Sequence, residues 1–364
     1  MDTMRAVVYD RPGRFELREV PIPEPGPGEV RLRVLVAGVC GTDVHLHAGE
    51  FGPSYPLTPG HEFVGEVVAV GPGVDADLRG HRVVVDNTAS CGRCVECRRA
   101  RPAFCLHLVA QGVNAPGGFA DYVCTDADRC FRVDDLDPEV AVLTEPVACV
   151  VHGLDVLALA PGADVLLFGT GPTGLIMTSL LSRWGTGRLT VAARTPAKLE
   201  LARNRGADEI VIMDGADPDA VGRRFAELAP AGFDVVIDAT GALPVLGSTI
   251  DLVRTGGTIF VYGMTSESAR WPVPPYEIFR RELTVKGSFA QQFSFDRAIA
   301  ALRSGRVDVT GLITRRFPLE EYAAALDAVG DSAVVKAVVV PEPDCGHGPG
   351  PGGVRLPPPS SVTW

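Results

Sequence analysis

Four cysteines lie within fifteen residues of one another and form the most chemically specific cluster of the sequence. They follow the pattern C-x2-C-x2-C-x7-C and are Cys91, Cys94, Cys97 and Cys105. Four thiolates on so short a loop can close a tetrahedral shell around one Zn²⁺ and leave no position open for water or substrate. Disulfides or free thiols are the alternative, but neighbours at i, i+3 and i+6 crowd one another too closely to pair. The pattern predicts a structural zinc lobe at about residues 88–108.

Two further segments carry metal ligands that only the fold can bring together. The sequence G-V-C-G-T-D-V-H contains Cys40, and P-G-H-E-F-V-G contains His61 and Glu62. A third segment, T-E-P-V-A, contributes Glu145. One thiolate, one imidazole and carboxylates suit a Zn²⁺ ion with an exchangeable position. Each residue alone could be a packed or exposed side chain, but their joint occurrence favours a catalytic metal site.

A glycine-rich motif, G-x-G-x-x-G, leaves an apolar strand and opens a helical segment. Its residues are Gly169, Thr170, Gly171, Pro172, Thr173 and Gly174. In this context the glycines allow a tight turn and the close approach of a pyrophosphate to the helix N-terminus. The motif therefore predicts a dinucleotide site.

The choice of dinucleotide is predicted from the end of the next strand. A carboxylate that binds the adenosine ribose is expected about 20 residues after the glycines, but Ala193 and Arg194 stand there. Ala193 removes the repulsion of a 2′-phosphate and Arg194 offers it a partner, with Thr195 and Lys198 able to assist. Arg194 could instead be a solvated loop residue in an enzyme indifferent to the cofactor. We predict NADP(H) in preference to NAD(H).

These residues require two kinds of supporting structure. Over the first 150 residues, short strands broken by Gly and Pro predict an all-β, barrel-like lobe. From there to about residue 290, apolar strands alternate with helical patterns, which is typical of a parallel sheet covered on both faces. We predict a catalytic domain from 1–146 and 290–340, a dinucleotide-binding domain at 147–289, and a disordered Pro/Gly-rich tail at 341–364.

The composition of the chain argues against some classes of binding partner. The 364 residues are 46% hydrophobic and carry a net charge of −11, without a dense Lys/Arg block. This balance argues against nucleic acids or anionic membranes as partners. The N-terminus lacks an apolar signal region, and no stretch approaches eighteen uninterrupted apolar residues. Nine cysteines in such a chain fit a reducing compartment, so we expect a soluble cytoplasmic protein.

The motifs, in this order, resemble the zinc-dependent medium-chain alcohol dehydrogenases over about residues 4–340. The stretch E-P-V-A-C-V-V-H-G resembles the polyol (sorbitol/arabinitol) and threonine dehydrogenase branch. The resemblance implies an α/β plus β fold: a GroES-like β-barrel catalytic domain with a Rossmann doubly wound parallel-sheet cofactor domain. It also implies two Zn²⁺ per chain and a homo-oligomer, a tetramer or a dimer. The apolar strand T-I-F-V-Y-G, near the sheet edge, is the candidate seam between subunits.

The same resemblance assigns the metal ligands. It implies that Cys40 and His61 bind the catalytic zinc. Glu62 and Glu145 are expected in or beside the ligand shell, where they exchange with water. Asp43 is expected to orient His61.

It also implies a route for the proton. Thr42 should hydrogen-bond the reacting alcohol oxygen, and His45 should pass the proton to solvent through the nicotinamide ribose. The expected reaction is reversible hydride transfer from a secondary alcohol to the nicotinamide, with zinc as the Lewis acid.

The substrate is predicted only as a class: a polyol, sugar, cyclitol or aminocyclitol. The alternatives are a simple alcohol or aldehyde dehydrogenase and an amino-alcohol (threonine-like) dehydrogenase. Two others, a non-catalytic zinc-binding scaffold and a zinc-free reductase, are disfavoured by the intact motifs. Four residues are candidates for the substrate pocket: Phe51, Tyr55, Asn114 and Gln291. Four other histidines are expected to serve packing or lie exposed: His47, His81, His107 and His152. Three other cysteines lie in mostly apolar stretches and are expected to be core thiols: Cys124, Cys130 and Cys149.

Overall fold

A computed structural model describes residues 2–213 and 218–341. The predicted tail at 341–364 therefore lies outside the described residues except for Pro341. The strands are β1 (Thr3–Arg11), β2 (Arg14–Pro21), β3 (Glu29–Val39), β4 (Glu62–Val70), β5 (Arg82–Val85), β6 (Thr88–Ala89), β7 (Val109–Ala110), β8 (Tyr122–Asp126), β9 (Cys130–Arg132), β10 (Asp164–Phe168), β11 (Arg188–Ala193), β12 (Glu209–Ile212), β13 (Phe233–Asp238), β14 (Val253–Val261), β15 (Thr284–Gly287), β16 (Ile313–Pro318) and β17 (Lys336–Val340). The α-helices are α1 (Gly41–His47), α2 (Val95–Arg98), α3 (Pro138–Ala141), α4 (Thr144–Leu157), α5 (Pro172–Leu181), α6 (Pro196–Asn204), α7 (Pro218–Leu228), α8 (Leu243–Leu252), α9 (Pro275–Arg280), α10 (Phe295–Arg303) and α11 (Tyr322–Asp327).

The first sheet has seven strands in the order β16-β17-β3-β4-β5-β9, with β8 also paired to β3. Its strands are antiparallel except for β16 and β17. Along the central strand β3, fully buried residues alternate with partly buried ones, as expected when one face of the sheet is buried. Val30, Leu32 and Val34 are at most 2% exposed. Strands β16 and β17 show that the chain returns to this sheet after the strands of the parallel sheet.

The second sheet has six parallel strands in the order β12-β11-β10-β13-β14-β15. Within β10, Val165 and Leu167 belong to one hydrophobic cluster while Leu166 and Phe168 belong to another. All four are fully buried, so both faces of the sheet are covered. The strand order reverses between β10 and β13, which is where dinucleotides bind in doubly wound sheets. The predicted doubly wound cofactor fold is confirmed.

The apolar stretch Pro138–Leu157 passes along the junction of the two sheets. By length and composition alone this 20-residue stretch could cross a membrane, but 67% of an 18-residue window within it is buried inside the protein. Its helix α4 contacts β4 of the first sheet and α5 of the second domain. Packing between the domains therefore accounts for its apolar composition.

The predicted seam between subunits does not lie at a sheet edge. The T-I-F-V-Y-G segment belongs largely to β14, which pairs with β13 on one side and β15 on the other. The edge strand is β15, because L-T-V-K-G adds one further parallel strand outside β14. The prediction about β14 is wrong for this reason.

A buried ion pair links three strands of the first sheet. Lys336 of β17 places Nζ 2.5 Å from Oε2 of Glu62 on β4, and each side chain is only 1% exposed. Burial by itself lowers the pKa of Lys336, but attraction to Glu62 and Cys40 raises it above its ordinary value. Gly38 of β3 lies between the partners, and a Cβ there would be 2.1 Å from Glu62 Oε2. The pair can form only because position 38 has no side chain.

We expect Lys336→Met to lower the free energy of unfolding by about 3–5 kcal/mol, because it leaves a buried carboxylate unpaired. Arg303→Met, which breaks the exposed Arg303–Asp135 pair, is the matched control and should cost less than about 1 kcal/mol. Urea titration of both variants measures the difference. Equal losses would contradict the assigned role of the buried pair.

Candidate active site

Three predicted metal ligands meet at the end of the β3–β4 ladder. Cys40 follows β3 and caps α1, whereas His61 and Glu62 stand at the start of β4. The Cys40 sulfur, a His61 ring nitrogen and a Glu62 carboxylate oxygen all lie within 4.8 Å of one another. The fold thus unites residues that the sequence separates.

Glu145 lies beside this trio but not within it. It occupies the first turn of α4 and does not belong to the group of atoms within 4.8 Å. Burial raises the pKa of Glu145 to about 7, with His61 lowering it and Glu62 raising it further. Its carboxyl group is therefore an electrostatic neighbour of the three ligands.

The buried carboxylate of Asp43 lies next to Cys40 and His61. Its side chain is 1% exposed; Oδ2 accepts a 2.8 Å hydrogen bond from the Cys40 N–H, and Oδ1 lies 3.6 Å from His61 Nδ1. Burial alone lowers the pKa of His61, yet Asp43 and Cys40 together raise it well above its ordinary value. Because Nδ1 faces Asp43, Nε2 is the ring nitrogen left for a metal.

The charges of this buried region fit a divalent cation. Cys40, Asp43, Glu62 and Glu145 can each carry a negative charge. Two buried neighbours can carry a positive one: Lys336, which interacts with Cys40, Glu62 and Glu145, and His61, whose pKa Asp43 and Cys40 raise. The acidic groups outnumber these cations in a low-dielectric site. Sulfur, imidazole and carboxylate donors also match the preferences of Zn²⁺.

The two residues expected to move the proton lie on α1, directly after Cys40. Thr42 Oγ1 is 3.8 Å from the Cys40 sulfur. His45 is one turn further on, with 24% of its side chain exposed, and its Nδ1 bonds the Glu50 carboxylate. Both residues therefore lie on the short helix that begins at the metal site.

Cys149 is not simply a core thiol, contrary to its prediction. Its sulfur is 3.3 Å from Glu145 Oε1 and 3.5 Å from Gln291 Oε1. Because it lies one helical turn after Glu145 on α4, it shares the same face as that carboxylate. The spacing E-P-V-A-C was the signal that could have revealed this contact.

Gln291 connects Cys149 to two further polar side chains, Asn87 and Asp86. It is 3% exposed, and its Nε2 donates 2.5 Å and 3.2 Å hydrogen bonds to Asn87 Oδ1 and Asp86 Oδ1. Neither Asn87 nor Asp86 was predicted as a site residue. The sequence gives no signal for them, since their partner lies more than 200 residues away.

The other pocket candidates have different surroundings. Asn114 uses its amide within its own loop, where Oδ1 accepts from the Ala110 N–H and Nδ2 donates to the Leu108 carbonyl. Tyr55 packs against the core of the first sheet and lines a small cavity with Asp43. Phe51 alone contacts a proposed reacting group, with its ring edge-on to His45 at 6.3 Å between centroids.

The four cysteines of the predicted zinc lobe converge, with all sulfurs within 4.8 Å of one another. The Cys94 sulfur lies 3.5 Å from that of Cys97 and 3.9 Å from that of Cys105. Tetrahedral coordination at a Zn–S distance of about 2.3 Å places sulfurs roughly 3.8 Å apart. Backbone N–H groups of Cys97 and Leu106 lower the pKa of Cys94 to about 6. Burial raises the pKa of Cys97 to about 11, so the thiols of the metal-free cluster differ, but the sulfurs have the spacing of a closed metal site.

The glycine motif forms the turn between β10 and α5. Gly169 has a φ of +113°, which favours glycine, and a Cβ at Gly174 would lie 2.2 Å from the Gly169 carbonyl oxygen. Pro172 occupies the first turn of α5, whose N-terminal N–H groups face the loop. Such a turn can cradle a pyrophosphate.

Arg194 and Lys198 have different surroundings. Arg194 is exposed directly after β11 and makes no hydrogen bond or ion pair within the part of the chain that the structure describes. Lys198 instead donates a 2.6 Å hydrogen bond to the Val334 carbonyl. The expectation that Lys198 assists cofactor binding is therefore not supported, because α6 turns this side chain toward the segment before β17.

Comparisons with known proteins agree with this arrangement. Residues 26–135 match the family described as the alcohol dehydrogenase GroES-like domain, and residues 172–304 match the zinc-binding dehydrogenase family. D-arabinitol dehydrogenase 1 of Uromyces fabae is 40% identical over 339 residues, which is 93% of this chain and 97% of the relative. D-altritol 5-dehydrogenase of Agrobacterium fabrum is 36% identical, covering 87% of this chain and 94% of the relative.

A solved structure extends the likeness to three dimensions. A protein from Sinorhizobium meliloti 1021, described as a zinc-binding dehydrogenase bound to NADP, superposes with a TM-score of 0.87 at 34% identity. The match covers 94% of this chain and all of the other. With its GroES-like and parallel-sheet domains, the chain belongs to the zinc-dependent medium-chain alcohol dehydrogenase family.

Proposed function

We propose that this protein is a zinc-dependent, NAD(P)-linked dehydrogenase that oxidises a secondary alcohol of a polyol, sugar, cyclitol or aminocyclitol to a ketone, reversibly. The observation that carries the proposal is the convergence of Cys40, His61 and Glu62 beside Thr42. The names of the arabinitol and altritol dehydrogenases support a polyhydroxylated substrate.

The residues have separate tasks in this reaction. When bound, zinc supplies a Lewis acid that lowers the pKa of an alcohol, and the nicotinamide supplies the hydride acceptor. Cys40 and His61, with Glu62 and Glu145 in or beside the shell, would hold the metal. Asp43, whose Oδ1 lies 3.6 Å from His61 Nδ1, would orient the ring of His61.

The proton would leave along α1. The Thr42 hydroxyl would accept it from the substrate alcohol, and His45, which is partly exposed, would release it to solvent. The glycine loop from Gly169 to Gly174 would bind the cofactor pyrophosphate at the start of α5.

We further propose two zinc ions per chain, a preference for NADP(H), a homo-oligomeric state (tetramer or dimer) and a cytoplasmic location. The two ligand clusters support the zinc count. The absence of a carboxylate at Ala193 and Arg194 supports the cofactor preference. The oligomeric state and location rest on the family resemblance.

The substrate class is tested with a panel of pentitols, hexitols, cyclitols, aminocyclitols, aldoses, L-threonine and simple secondary alcohols, each assayed with both cofactors. Two additional substrate hydroxyls that form hydrogen bonds, at about 1 kcal/mol each, should raise kcat/KM about thirtyfold over 2-butanol. A higher kcat/KM for 2-butanol or L-threonine than for every polyhydroxylated compound would refute the proposed class.

Arg194→Ala should lower kcat/KM for NADP(H) about ten- to a hundredfold, since one charge-assisted bond to a 2′-phosphate is worth about 1.5–3 kcal/mol. The kcat/KM for NAD(H) should change by less than about twofold. Ala193→Asp should shift the preference the other way, toward NAD(H). Arg203→Ala, on the following helix α6, is the control. The measurement is kcat/KM for both cofactors; a parent enzyme that prefers NAD(H), or equal losses with Arg194→Ala, would show the assignment to be wrong.

Metal analysis of the purified protein should give about two zinc ions per chain. Cys94→Ser should remove the ion of the cysteine lobe and reduce soluble yield, because metal binding there contributes folding free energy. Cys124→Ser, outside both clusters, should retain both ions. Chelation should first remove the ion held by Cys40 and His61 and abolish activity while circular dichroism shows an intact fold. A parent protein with one zinc ion, or a stable Cys94→Ser protein with two, would contradict the two-site assignment.

A further inference from the structure

The segment after α1 folds back onto the helix and places a carboxylate on His45. Gly49 has a φ of +88°, and a Cβ there would be 2.7 Å from Pro12, so the turn requires glycine. After this turn, the Glu50 N–H donates a 2.9 Å hydrogen bond to the His45 carbonyl. The Glu50 carboxylate then accepts a hydrogen bond from His45 Nδ1. Glu50 is therefore attached to His45 through both its backbone and its side chain.

The same carboxylate reaches the other domain. Its second oxygen, Oε1, accepts a 2.7 Å hydrogen bond from Ser266 Oγ, on the loop after β14. Next to it, the Phe51 N–H donates a 3.0 Å hydrogen bond to Glu267 Oε1. Residues 50–51 and 266–267 thus form a two-point contact between the segment after α1 and the loop after β14.

Backbone strain at this contact indicates that the fold maintains it. Phe51 has a φ of +69°, a conformation that costs a non-glycine residue roughly 1–2 kcal/mol. This conformation directs the Phe51 N–H toward Glu267 and sets its ring edge-on to His45. Such outliers persist where surrounding contacts hold them in place.

We infer that Glu50 is the positioning residue of His45 and couples the orientation of the proton-releasing histidine to the contact between the two domains. This inference rests on the proposed function of His45. A hydrogen bond from Nδ1–H to Glu50 fixes the tautomer in which Nε2 is the free acceptor. Within residues 2–213 and 218–341, Nε2 has no hydrogen-bond partner.

The proton balance requires no transfer to Glu50. His45 Nε2 would receive the alcohol proton and pass it to water, and the nicotinamide, when bound, would supply the acceptor for the hydride that carries the C–H electron pair. Nδ1 keeps its hydrogen throughout, and the Glu50 carboxylate stabilises the transient imidazolium, as the aspartate does in a Ser-His-Asp triad. Hydrogen bonds from Ser266 and His45 lower the pKa of Glu50, which keeps it ionised for this task.

The inference is tested on the full-length, zinc-loaded enzyme with Glu50→Gln, using D-arabinitol, or the best substrate of the panel, and its preferred cofactor. General bases contribute about 10²–10⁴-fold, so we expect kcat/KM to fall about ten- to a hundredfold. Glu267→Gln is the matched control: it removes one charge from the same contact, keeps an acceptor for the Phe51 N–H and does not touch His45. It should change kcat/KM by less than about twofold.

A double-mutant cycle separates the positioning of His45 from a general effect on the contact between residues 50–51 and 266–267. If Glu50 acts through His45, Glu50→Gln should change kcat/KM by less than about twofold in a His45→Gln background. Equal losses in the presence and absence of His45, or equal losses with Glu267→Gln, would overturn the inference. Ser266→Ala leaves the carboxylate in place and should give a smaller loss than Glu50→Gln. It also serves as the second variant if Glu50→Gln lowers Tm.

A measurement independent of turnover distinguishes failure of this inference from failure of the proposed function. In ¹⁵N-resolved NMR spectra of the parent, His45 should be predominantly the Nδ1–H tautomer, and Glu50→Ala should reduce that fraction. Inactivity of the parent on the whole panel would refute the proposed function. The tautomer measurement would still test whether Glu50 orients His45. An unchanged tautomer in Glu50→Ala would refute the positioning role.

Discussion

The register of the β3–β4 ladder is the constraint on which the site depends. Gly38 pairs with Glu62, so Cys40 and His61 leave the ladder at the same end. Successive strand residues point to opposite faces, and a slip of one residue would turn Glu62 away from Lys336. It would also separate the thiol of Cys40 from the ring of His61. The observed packing is possible only because Gly38 has no side chain. The ion pair and the candidate metal site therefore depend on one register.

The sequence predicted best those features whose parts lie close together in the chain. The cysteine lobe and the glycine turn each fit within one short segment, and periodicity alone indicated the parallel sheet. The grouping of Cys40 with His61 came from family resemblance, because their spacing does not specify a contact. Lys336 went unnoticed, although a lysine that interrupts the apolar strand A-V-V-K-A-V-V-V is itself a signal. A charged residue in a doubly covered strand requires a buried partner, but the sequence does not identify it as Glu62.

Two errors arose from side-chain direction. Lys198 lies close in sequence to Arg194, but the geometry of α6 turns its amine to the Val334 carbonyl. Cys149 was predicted to be a core thiol from its apolar neighbours, yet the helical period of α4 brings it to the Glu145 carboxyl. Both positions depend on which face of a helix meets the rest of the protein. Local composition does not determine that face when a helix is apolar all round, as α4 is over most of its length.

The two glutamates beside the candidate metal site differ in their surroundings, and this difference separates their roles. Glu62 has the ammonium of Lys336 at its carboxylate, so any cation that binds Glu62 must share it with a fixed positive charge. Glu145 has a thiol as its hydrogen-bond neighbour, and burial brings its pKa to about 7. A ligand that is shared and a ligand that readily holds a proton are both weaker than a free carboxylate. In the proposed site, the two carboxylates would therefore be the exchangeable ligands, and they would leave a position that a substrate oxygen can take.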